Sequence, residues 1–159
     1  MGSRSATTDA YIAGFLDGDG SLMLQLKKRS DGVLKFRFMA TICFYQDTRH
    51  EKGLLWIRKQ LAIGYIARRN DGMSEIRVNG FQQVHGILTR LFPYLQFKKR
   101  QATLLIKATK ILSETPFRML SKKQIRDVID CILAIQDENY VAKRKKTRSE
   151  LFAIVGLTP

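Results

Sequence analysis

The chain contains little cysteine and little histidine. Its 159 residues include two cysteines and two histidines. Cys43 and Cys131 are far apart and neither belongs to a CxxC pair. This disfavours a disulfide framework or a zinc site and predicts buried, free thiols in a reducing compartment. His50 and His85 have no partner at the spacing of a metal site or a catalytic triad, so a surface or packing role is favoured for each.

Long apolar runs and nucleotide-binding motifs are also missing. No stretch approaches the roughly 18 consecutive apolar residues of a membrane-spanning helix, and the N-terminus lacks the charged start and apolar centre of a signal peptide. Gly14, Gly18 and Gly20 fit neither GxGxxG nor the P-loop spacing. We therefore expect no membrane partner and no nucleotide cofactor. A calcium loop beginning at Asp17 is excluded too, because its twelfth position is Lys28, where a bidentate Glu is needed.

Acidic residues are half as frequent as basic ones. The 14 Asp and Glu residues stand against 28 Lys and Arg, which gives a formal net charge of +14 and a pI near 10.1. A domain this cationic usually binds a polyanion, with nucleic acid the first expectation and an anionic membrane the second. The length predicts one domain over residues 1–159. Residues 1–6 are expected to be disordered or a remnant of an expression vector.

The chain does contain helical periods that alternate with pairs of strands. This order predicts an α+β fold with an α-β-β-α-β-β-α core, an antiparallel sheet and C-terminal helices. The predicted elements are a helix capped by Thr7 or Thr8 and ended by the glycines after Leu16, strands at 21–29 and 35–45, a helix with a Thr48/Glu51 capping box that stops at Gly64, strands at 65–69 and 74–79, a helix capped by Asn79 and halted at Pro93, and helices at 98–113, from Ser121/Gln124 and from Thr147/Glu150.

The first helix runs into two acids, Asp17 and Asp19. A helix C-terminus carries partial negative charge and favours cations, so some cation is expected to compensate these acids. Upstream, Ala10, Gly14 and Gly18 recur every four residues and leave one helix face nearly free of side chains. Such a face lets another backbone approach closely. Ordinary helix packing and capping is the alternative explanation for the glycines, as a simple turn is for Asp19.

Each hairpin has one apolar face and one polar face. In the first hairpin Leu22, Leu24 and Leu26 alternate with polar residues, and the polar face becomes basic towards the turn. Nucleic-acid binding explains such a face, and a solvated surface is the alternative. The basic run at 143–148 is equally open to phosphate contact or to simple solvation.

The stretch Ile12–Gly20 resembles the LAGLIDADG motif. From about Thr8 into the last helix, the chain resembles the single-motif homing endonucleases of algal organellar introns. The resemblance implies a homodimer whose two motif helices pack together, with the sheets of both subunits forming a saddle over a pseudo-palindromic DNA duplex. It also implies an organellar location, the chloroplast first and the mitochondrion as the alternative. Further matching segments are Gly20-Ser21, Phe44-Tyr45-Gln46, Gly64-Tyr65, Pro93-Tyr94-Leu95 and Lys98-Lys99-Arg100-Gln101.

The resemblance implies a metal site at the dimer axis. Asp19 and the Gly18 carbonyl of each subunit would bind Mg²⁺ or Mn²⁺, and Ca²⁺ is expected to bind without supporting cleavage. Without a cation, two such carboxylates would repel each other at close range. The residues expected at the dimer interface are Ala10, Ala13, Gly14 and Asp17.

Three further residues are implied in catalysis. Gln46 and Lys98 match residues that family members place around the metal site, where they organise water and stabilise charge. The family has an arginine four positions after that Gln. Here His50 occupies this position with Arg49 beside it, and either residue can serve; Arg49 is our catalytic candidate.

The resemblance places polar side chains of both hairpins at positions that read bases. Cys43 and Ala67 stand where a relative has Gln and Arg, so the preferred target need not be the same. The residues expected to contact DNA are Gln25, Lys27, Arg29, Lys35, Arg37, Arg69, Glu75 and Arg77 on the hairpins, and Lys143, Arg144, Lys145 and Lys146 in the basic run.

Three functions are compatible with these observations. A site-specific, metal-dependent endonuclease that cuts both DNA strands is favoured. A non-cleaving relative, such as an intron maturase or a DNA-binding regulator, is the second. Retention of Asp19, Gln46 and Lys98 argues against it, because an acid near phosphate repels the ligand of a pure binder. The third is a basic architectural protein, which predicts binding without sequence preference.

Overall fold

The computed structural model describes residues 5–139 and 144–158. In this part of the chain, a four-stranded antiparallel sheet of order β1-β2-β4-β3 is covered by helices. The predicted α+β fold and its element order are confirmed. The elements are α1 (Ala6–Asp19), β1 (Gly20–Lys28), β2 (Phe36–Asp47), α2 (Glu51–Leu61), β3 (Tyr65–Arg68), β4 (Met73–Asn79), α3 (Phe81–Leu91), α4 (Lys99–Glu114), α5 (Lys122–Glu138) and α6 (Arg148–Val155), with short 3₁₀ turns at Thr48–His50, Phe92–Tyr94 and Phe117–Met119.

The apolar face of the sheet forms one side of the core. Leu22, Leu24 and Leu26 of β1 are buried, as the period-two pattern predicted, and Ile42 and Phe44 of β2 are fully buried beside them. Residues of α1 to α5 belong to the same hydrophobic cluster. The helices therefore occupy one face of the sheet and leave the opposite, polar face available for a ligand.

Helix α1 passes into β1 without a loop. It extends through Gly18 to Asp19, and Gly20 is both its C-cap and the first residue of the strand. A Cβ on Gly20 would lie 2.8 Å from the Leu16 carbonyl oxygen and 2.9 Å from that of Cys43, so this position requires glycine. The prediction that the glycines after Leu16 end the helix is thus confirmed for Gly20, whereas Gly18 still lies within the helix.

The N-terminal cap of α1 also differs from the prediction. The Ser5 hydroxyl, rather than Thr7 or Thr8, accepts a hydrogen bond from the Thr8 backbone N–H. Ser5 and Ala6, which the sequence placed in a disordered or vector-derived start, cap and open α1. Residues 1–4 lie outside the described residues.

Two other predicted caps are wrong because distant groups hold the side chains. Asn79 accepts a hydrogen bond from the Thr41 hydroxyl at 2.7 Å, and Gly80 is the N-cap of α3 instead. Glu51 does not form a capping box with Thr48. It receives two hydrogen bonds from Arg68, at 2.8 and 2.9 Å, and one from Ser74 at 2.7 Å.

The buried Glu51 carboxylate joins α2 to the second hairpin. Arg68, and after it Ser74, lower the pKa of Glu51 to about 2. The Thr48 N–H donates to the Gly72 carbonyl at 2.9 Å. The turn that follows β2 is therefore held from two sides, which fixes the chain just after Gln46.

The C-terminal helices follow the predictions more closely. The capping boxes Ser121/Gln124 of α5 and Thr147/Glu150 of α6 are confirmed. Among the described residues, no helix combines the length and apolar character needed to cross a membrane.

Candidate active site and nucleic-acid interface

The two acids at the end of α1 have different surroundings. The Asp17 carboxylate accepts three backbone hydrogen bonds, from Gln96 at 2.6 Å, Phe97 at 3.3 Å and Lys98 at 3.0 Å. These N–H groups precede α4, whose N-cap residue Lys98 provides no side-chain cap of its own. Asp17 therefore caps α4 from another element and is occupied within its own chain.

Lys98 is held at the same place by a reciprocal contact. Its ammonium donates to the Asp17 backbone carbonyl at 2.6 Å. This is a carbonyl of the last turn of α1, where a cation offsets the partial negative charge of the helix end. Burial lowers the pKa of Lys98, and the charges of Asp17 and Asp19 oppose part of that shift. The cation that the sequence required at this helix end is thus Lys98.

Asp19 is exposed at the tip of α1. No hydrogen bond or ion pair to its carboxylate is found among the residues with described positions, and the last turn of α1 contains no basic residue. A carboxylate in this place is unfavourable for the isolated chain, because it adds to the negative end of the helix dipole. Its position is better suited to binding a cation than to stabilising the fold.

The end of β2 lies beside the end of α1. Gly20 pairs with Phe44, so Gln46, two residues further along β2, continues past the start of β1 towards the tip of α1. The Gln46 side-chain oxygen accepts from the Asp47 N–H at 2.9 Å. The structure therefore places Gln46, Lys98 and Asp19 at the same end of the sheet.

Arg49 is paired within the turn after β2. Its guanidinium donates to both carboxylate oxygens of Asp47, at 3.0 and 2.8 Å, and 83% of its side chain remains exposed. Arg49 lowers the pKa of Asp47 well below its usual range. The sequence analysis missed Asp47, although an acid two residues before Arg49 at a strand end was a usable signal. His50 is exposed at the start of α2.

One face of α1 is open. Tyr11, Gly14 and Gly18 are exposed, and a Cβ built on either glycine would meet nothing within 4 Å. The fold of one chain therefore gives no packing reason for glycine at these two positions. Ala10 is half-buried on the same side, at the predicted four-residue spacing.

Two predicted interface residues do not belong to this open face. Ala13 is fully buried in the core of its own chain, so it has no surface to offer a partner. The Asp17 carboxylate is bonded to the segment before α4. Full burial of Ala13 in its own chain argues against its predicted dimer contact, while Asp17 caps the segment before α4 and its place at a dimer interface stays a prediction.

The sequence analysis missed apolar side chains beside the open face of α1. Tyr11 stacks edge-on against Trp56 of α2, with ring centroids 5.3 Å apart, and both rings are exposed. With Phe15, Gly53 and Ile57 they line a shallow apolar groove of about 420 Å³. Exposed apolar groups next to a bare helix face indicate a surface that binds another protein.

The polar face of the sheet is cationic towards the turn of the first hairpin. Lys27 lies opposite Arg37 in the register of β1 and β2. Two pairs further out, the Arg29 N–H donates to the Lys35 carbonyl at 2.7 Å. Gln25 lies opposite Met39, nearer the end of the sheet that carries Asp19. The expected basic stripe is present, and its role in binding DNA stays a prediction.

The second hairpin contributes an ion pair whose acidic residue is buried. Glu75 and Arg77 lie on the same face of β4, and the Arg77 Nε donates to the Glu75 carboxylate. The Glu75 side chain is only 6% exposed, against 34% for Arg77. A direct base contact by Glu75 is therefore unsupported, whereas Arg77 remains accessible. Arg69, near the turn, pairs with exposed Asp71 at 2.7 Å.

The basic run near the C-terminus divides into different roles. Lys146 donates to the Leu26 carbonyl of edge strand β1, and its backbone is bound by the Gln136 side chain, so it fixes the loop to the sheet. Its predicted DNA contact stays a prediction beside this structural role. Lys145 lies 3.8 Å from Asp137, and Arg144 is exposed. Lys143 lies outside the described residues.

An open cleft of about 920 Å³ joins these groups. It extends from the tip of α1 along the polar side of β1 to the end of α5 and the loop that follows it. The lining includes Gly18, Lys98, Gln25, Lys27 and Arg144. The candidate catalytic end and the first basic strand are therefore parts of one continuous surface.

Replacement of Asp17 by asparagine tests its capping role. The amide keeps one acceptor oxygen and turns its NH₂ group towards backbone donors, so part of the set of three N–H groups loses its charged acceptor. We expect unfolding to become easier by about 1–3 kcal/mol. Thermal denaturation measures the effect. Asp71→Asn, which removes an exposed carboxylate, is the control, and equal melting of both variants would contradict the assignment.

Comparison with known proteins identifies the family. The model of a family described as LAGLIDADG endonuclease matches residues 12–112. DNA endonuclease I-CvuI of Chlorella vulgaris is 40% identical over 106 residues, which cover 67% of this chain and 66% of that protein, just under two thirds of its length. DNA endonuclease I-CreI of Chlamydomonas reinhardtii is 31% identical over 143 residues, which cover 88% of this chain and 83% of that protein.

Solved structures show the same fold. I-CvuI in complex with the I-CreI target C1221, with 2 mM Mg and the DNA not cleaved, matches with a TM-score of 0.79 and 29% identity over 94% of this chain and 93% of that chain. I-CvuI with its target Sro1.3 and 2 mM Ca matches with a TM-score of 0.79 and 28% identity over 96% and 97%.

Proposed function

Because the chain belongs to the LAGLIDADG endonuclease family, we propose that it is a site-specific DNA endonuclease that cuts both strands of its target as a homodimer, with divalent metal. The tip of α1 carries the proposal. There the exposed Asp19 carboxylate stands beside a helix face on which Gly14 and Gly18 leave open space. A second copy of α1 fits that space and would bring a second Asp19 close to the first.

The donor atoms at this tip suit a hard divalent cation. Asp19 offers a free carboxylate, and the Gly18 carbonyl is among the last four of α1, which have no partner within the helix. Such oxygen ligands are those that Mg²⁺, Mn²⁺ and Ca²⁺ prefer. Within the described part of the chain, no group of three or more His, Cys, Asp or Glu side chains is able to hold a metal ion. At this tip one copy therefore offers Asp19 and the Gly18 carbonyl, and a second copy would supply the same two ligands again.

The residues around Asp19 have distinct parts in the proposed reaction. A divalent cation bound there would neutralise charge on the scissile phosphate and favour ionisation of water. Lys98, held against the end of α1, places a positive charge where the phosphate gains negative charge in the transition state. Gln46, two residues beyond the Gly20–Phe44 pair, has an amide that can orient water. Arg49 lies in the turn that follows Gln46, where its guanidinium pairs with Asp47.

The polar face of the sheet is the proposed DNA-binding surface. Cations at the turn of the first hairpin bind phosphates or base edges in the major groove. A two-fold axis between the subunits doubles this surface, so the target is expected to be pseudo-palindromic. The DNA complexes of I-CvuI, which share the fold over most of both chains, support this proposal. The algal sources of both relatives support an organellar intron as the origin, with the chloroplast proposed before the mitochondrion.

A cleavage assay tests the proposed function. The purified protein is incubated with DNA carrying C1221, Sro1.3 or a library of organellar rRNA gene sequences, in Mg²⁺, Ca²⁺ or EDTA. We expect double-strand cutting of a discrete sequence in Mg²⁺, binding without cutting in Ca²⁺, and no cutting in EDTA. Specific binding that never leads to cutting in Mg²⁺ or Mn²⁺ would instead indicate a non-cleaving relative. Binding without sequence preference would indicate an architectural protein.

A further inference from the structure

Three arginines on the hairpins each pair with an acid two residues away. Arg29 pairs with Asp31 at 3.0 Å, and Arg69 pairs with Asp71 at 2.7 Å. Arg77 pairs with Glu75. All three arginines belong to the proposed DNA-binding surface, but the environments of their acids differ. The side chains of Asp31 and Asp71 are 74% and 50% exposed, whereas that of Glu75 is 6% exposed.

The burial of Glu75 follows from its place in the sheet. It lies on the inner strand β4, opposite Tyr45 of β2 on one side and Ala67 of β3 on the other. A carboxylate removed from water requires a charged or hydrogen-bonding partner, and Arg77 supplies it. The exposed pairs of Arg29 and Arg69 are weak and free to rearrange, because solvent screens them. Arg77 is thus the arginine of the three whose position is fixed before DNA binds.

The contact with Glu75 also limits how Arg77 can bind a base. Its Nε already donates to Glu75, so the two terminal amino groups are the donors left for a ligand. Two parallel donors match O6 and N7 of guanine, the commonest specific contact in the major groove. We propose that Glu75 is a positioning residue that holds Arg77 to read a G·C pair at one position of each half-site. This inference rests on the proposed function and assigns Glu75 an indirect part in recognition.

Selection from duplex DNA with a randomised segment, carried out in Ca²⁺, tests the inference. The selected sequences of the wild type are compared with those of Arg77→Lys, Glu75→Ala and Glu75→Gln. Arg77→Lys keeps the charge next to Glu75 but loses the two-pronged donor, so it identifies the base pair that Arg77 reads. Asp71→Ala is the matched control, because it also removes a carboxylate that pairs with an arginine, in this case Arg69. Melting curves confirm that each variant is folded.

We expect the wild type and Asp71→Ala to select guanine at one symmetric pair of positions. Arg77→Lys should lose that guanine, and Glu75→Ala should reduce the preference about tenfold at the same positions alone. Glu75→Gln keeps an acceptor oxygen and should fall between the two; it carries the test if Glu75→Ala does not fold. An unchanged profile for the Glu75 variants, or a loss spread evenly over the site, would overturn the inference. A wild type that selects no consensus would overturn the proposed function as well.

Discussion

Asp19→Asn is expected to abolish DNA cleavage while DNA binding remains. The substitution keeps the size of the side chain and removes the charge that the proposed cation requires. Among the described residues, none forms a hydrogen bond or ion pair with the Asp19 carboxylate, so the melting temperature should stay close to that of the wild type. Cleavage should fall by at least about 10²–10³-fold, as when one group that stabilises transition-state charge is lost.

The same substitution should leave affinity unchanged or raise it slightly in the absence of metal. A carboxylate beside a phosphate repels it, and asparagine does not. Binding in EDTA and cutting in Mg²⁺ are therefore measured on the same preparation. Asp127→Asn is the matched control, because Asp127 pairs with Lys123 on the surface of α5 and its replacement changes the net charge equally. Full activity of Asp19→Asn would contradict the proposed mechanism.

Gly14→Leu is expected to abolish both dimer formation and cleavage while the chain still folds. The leucine side chain enters open space in the single chain, since a Cβ at this position meets nothing within 4 Å. In the proposed dimer it would stand between the two α1 helices and keep them apart. Within a helix, leucine is also more favourable than glycine by several tenths of a kcal/mol, so the substitution should not weaken α1 itself.

Sedimentation and circular dichroism separate the two effects of Gly14→Leu. The helical signal should be retained while the mass in solution falls from that of a dimer to that of a single chain. Gly86→Leu is the control, because Gly86 is an exposed glycine within α3 and a Cβ there also meets nothing within 4 Å. A dimeric, active Gly14→Leu protein would show that the open face of α1 is not the interface.

Local patterns predicted much of this fold, and the failures have a common cause. The alternating residues of β1 and the capping boxes at Ser121 and Thr147 are correct because neighbours in sequence determine them. Glu51 and Asn79 were misassigned because their partners lie 17 to 38 residues away. A side chain that forms a hydrogen bond with a distant residue is no longer available to cap the helix next to it in sequence.

The candidate site was only partly predictable for the same reason. The motif identified Asp19, and the need for a cation at the end of α1 was evident from the helix dipole. That Lys98 is this cation, and that Asp17 caps the segment before α4, depends on contacts 79 to 81 residues apart. The burial of Ala13 and Glu75 depends on which faces the helices and strands turn inward, which spacing alone did not resolve.

The central claim is that two copies of the chain share one catalytic centre, and mixed dimers test it most directly. Wild-type and Asp19→Asn chains are refolded together in equal amounts, and the total number of strands cut, with nicked and double-strand products counted separately, is measured with DNA in excess at constant total protein. If both Asp19 residues are needed, random pairing leaves about one quarter of the wild-type activity, since only that fraction of dimers has two carboxylates. If each chain instead cuts its own strand independently of its partner, mixed dimers would nick the DNA and total strand cutting would stay at about one half, which would contradict the claim.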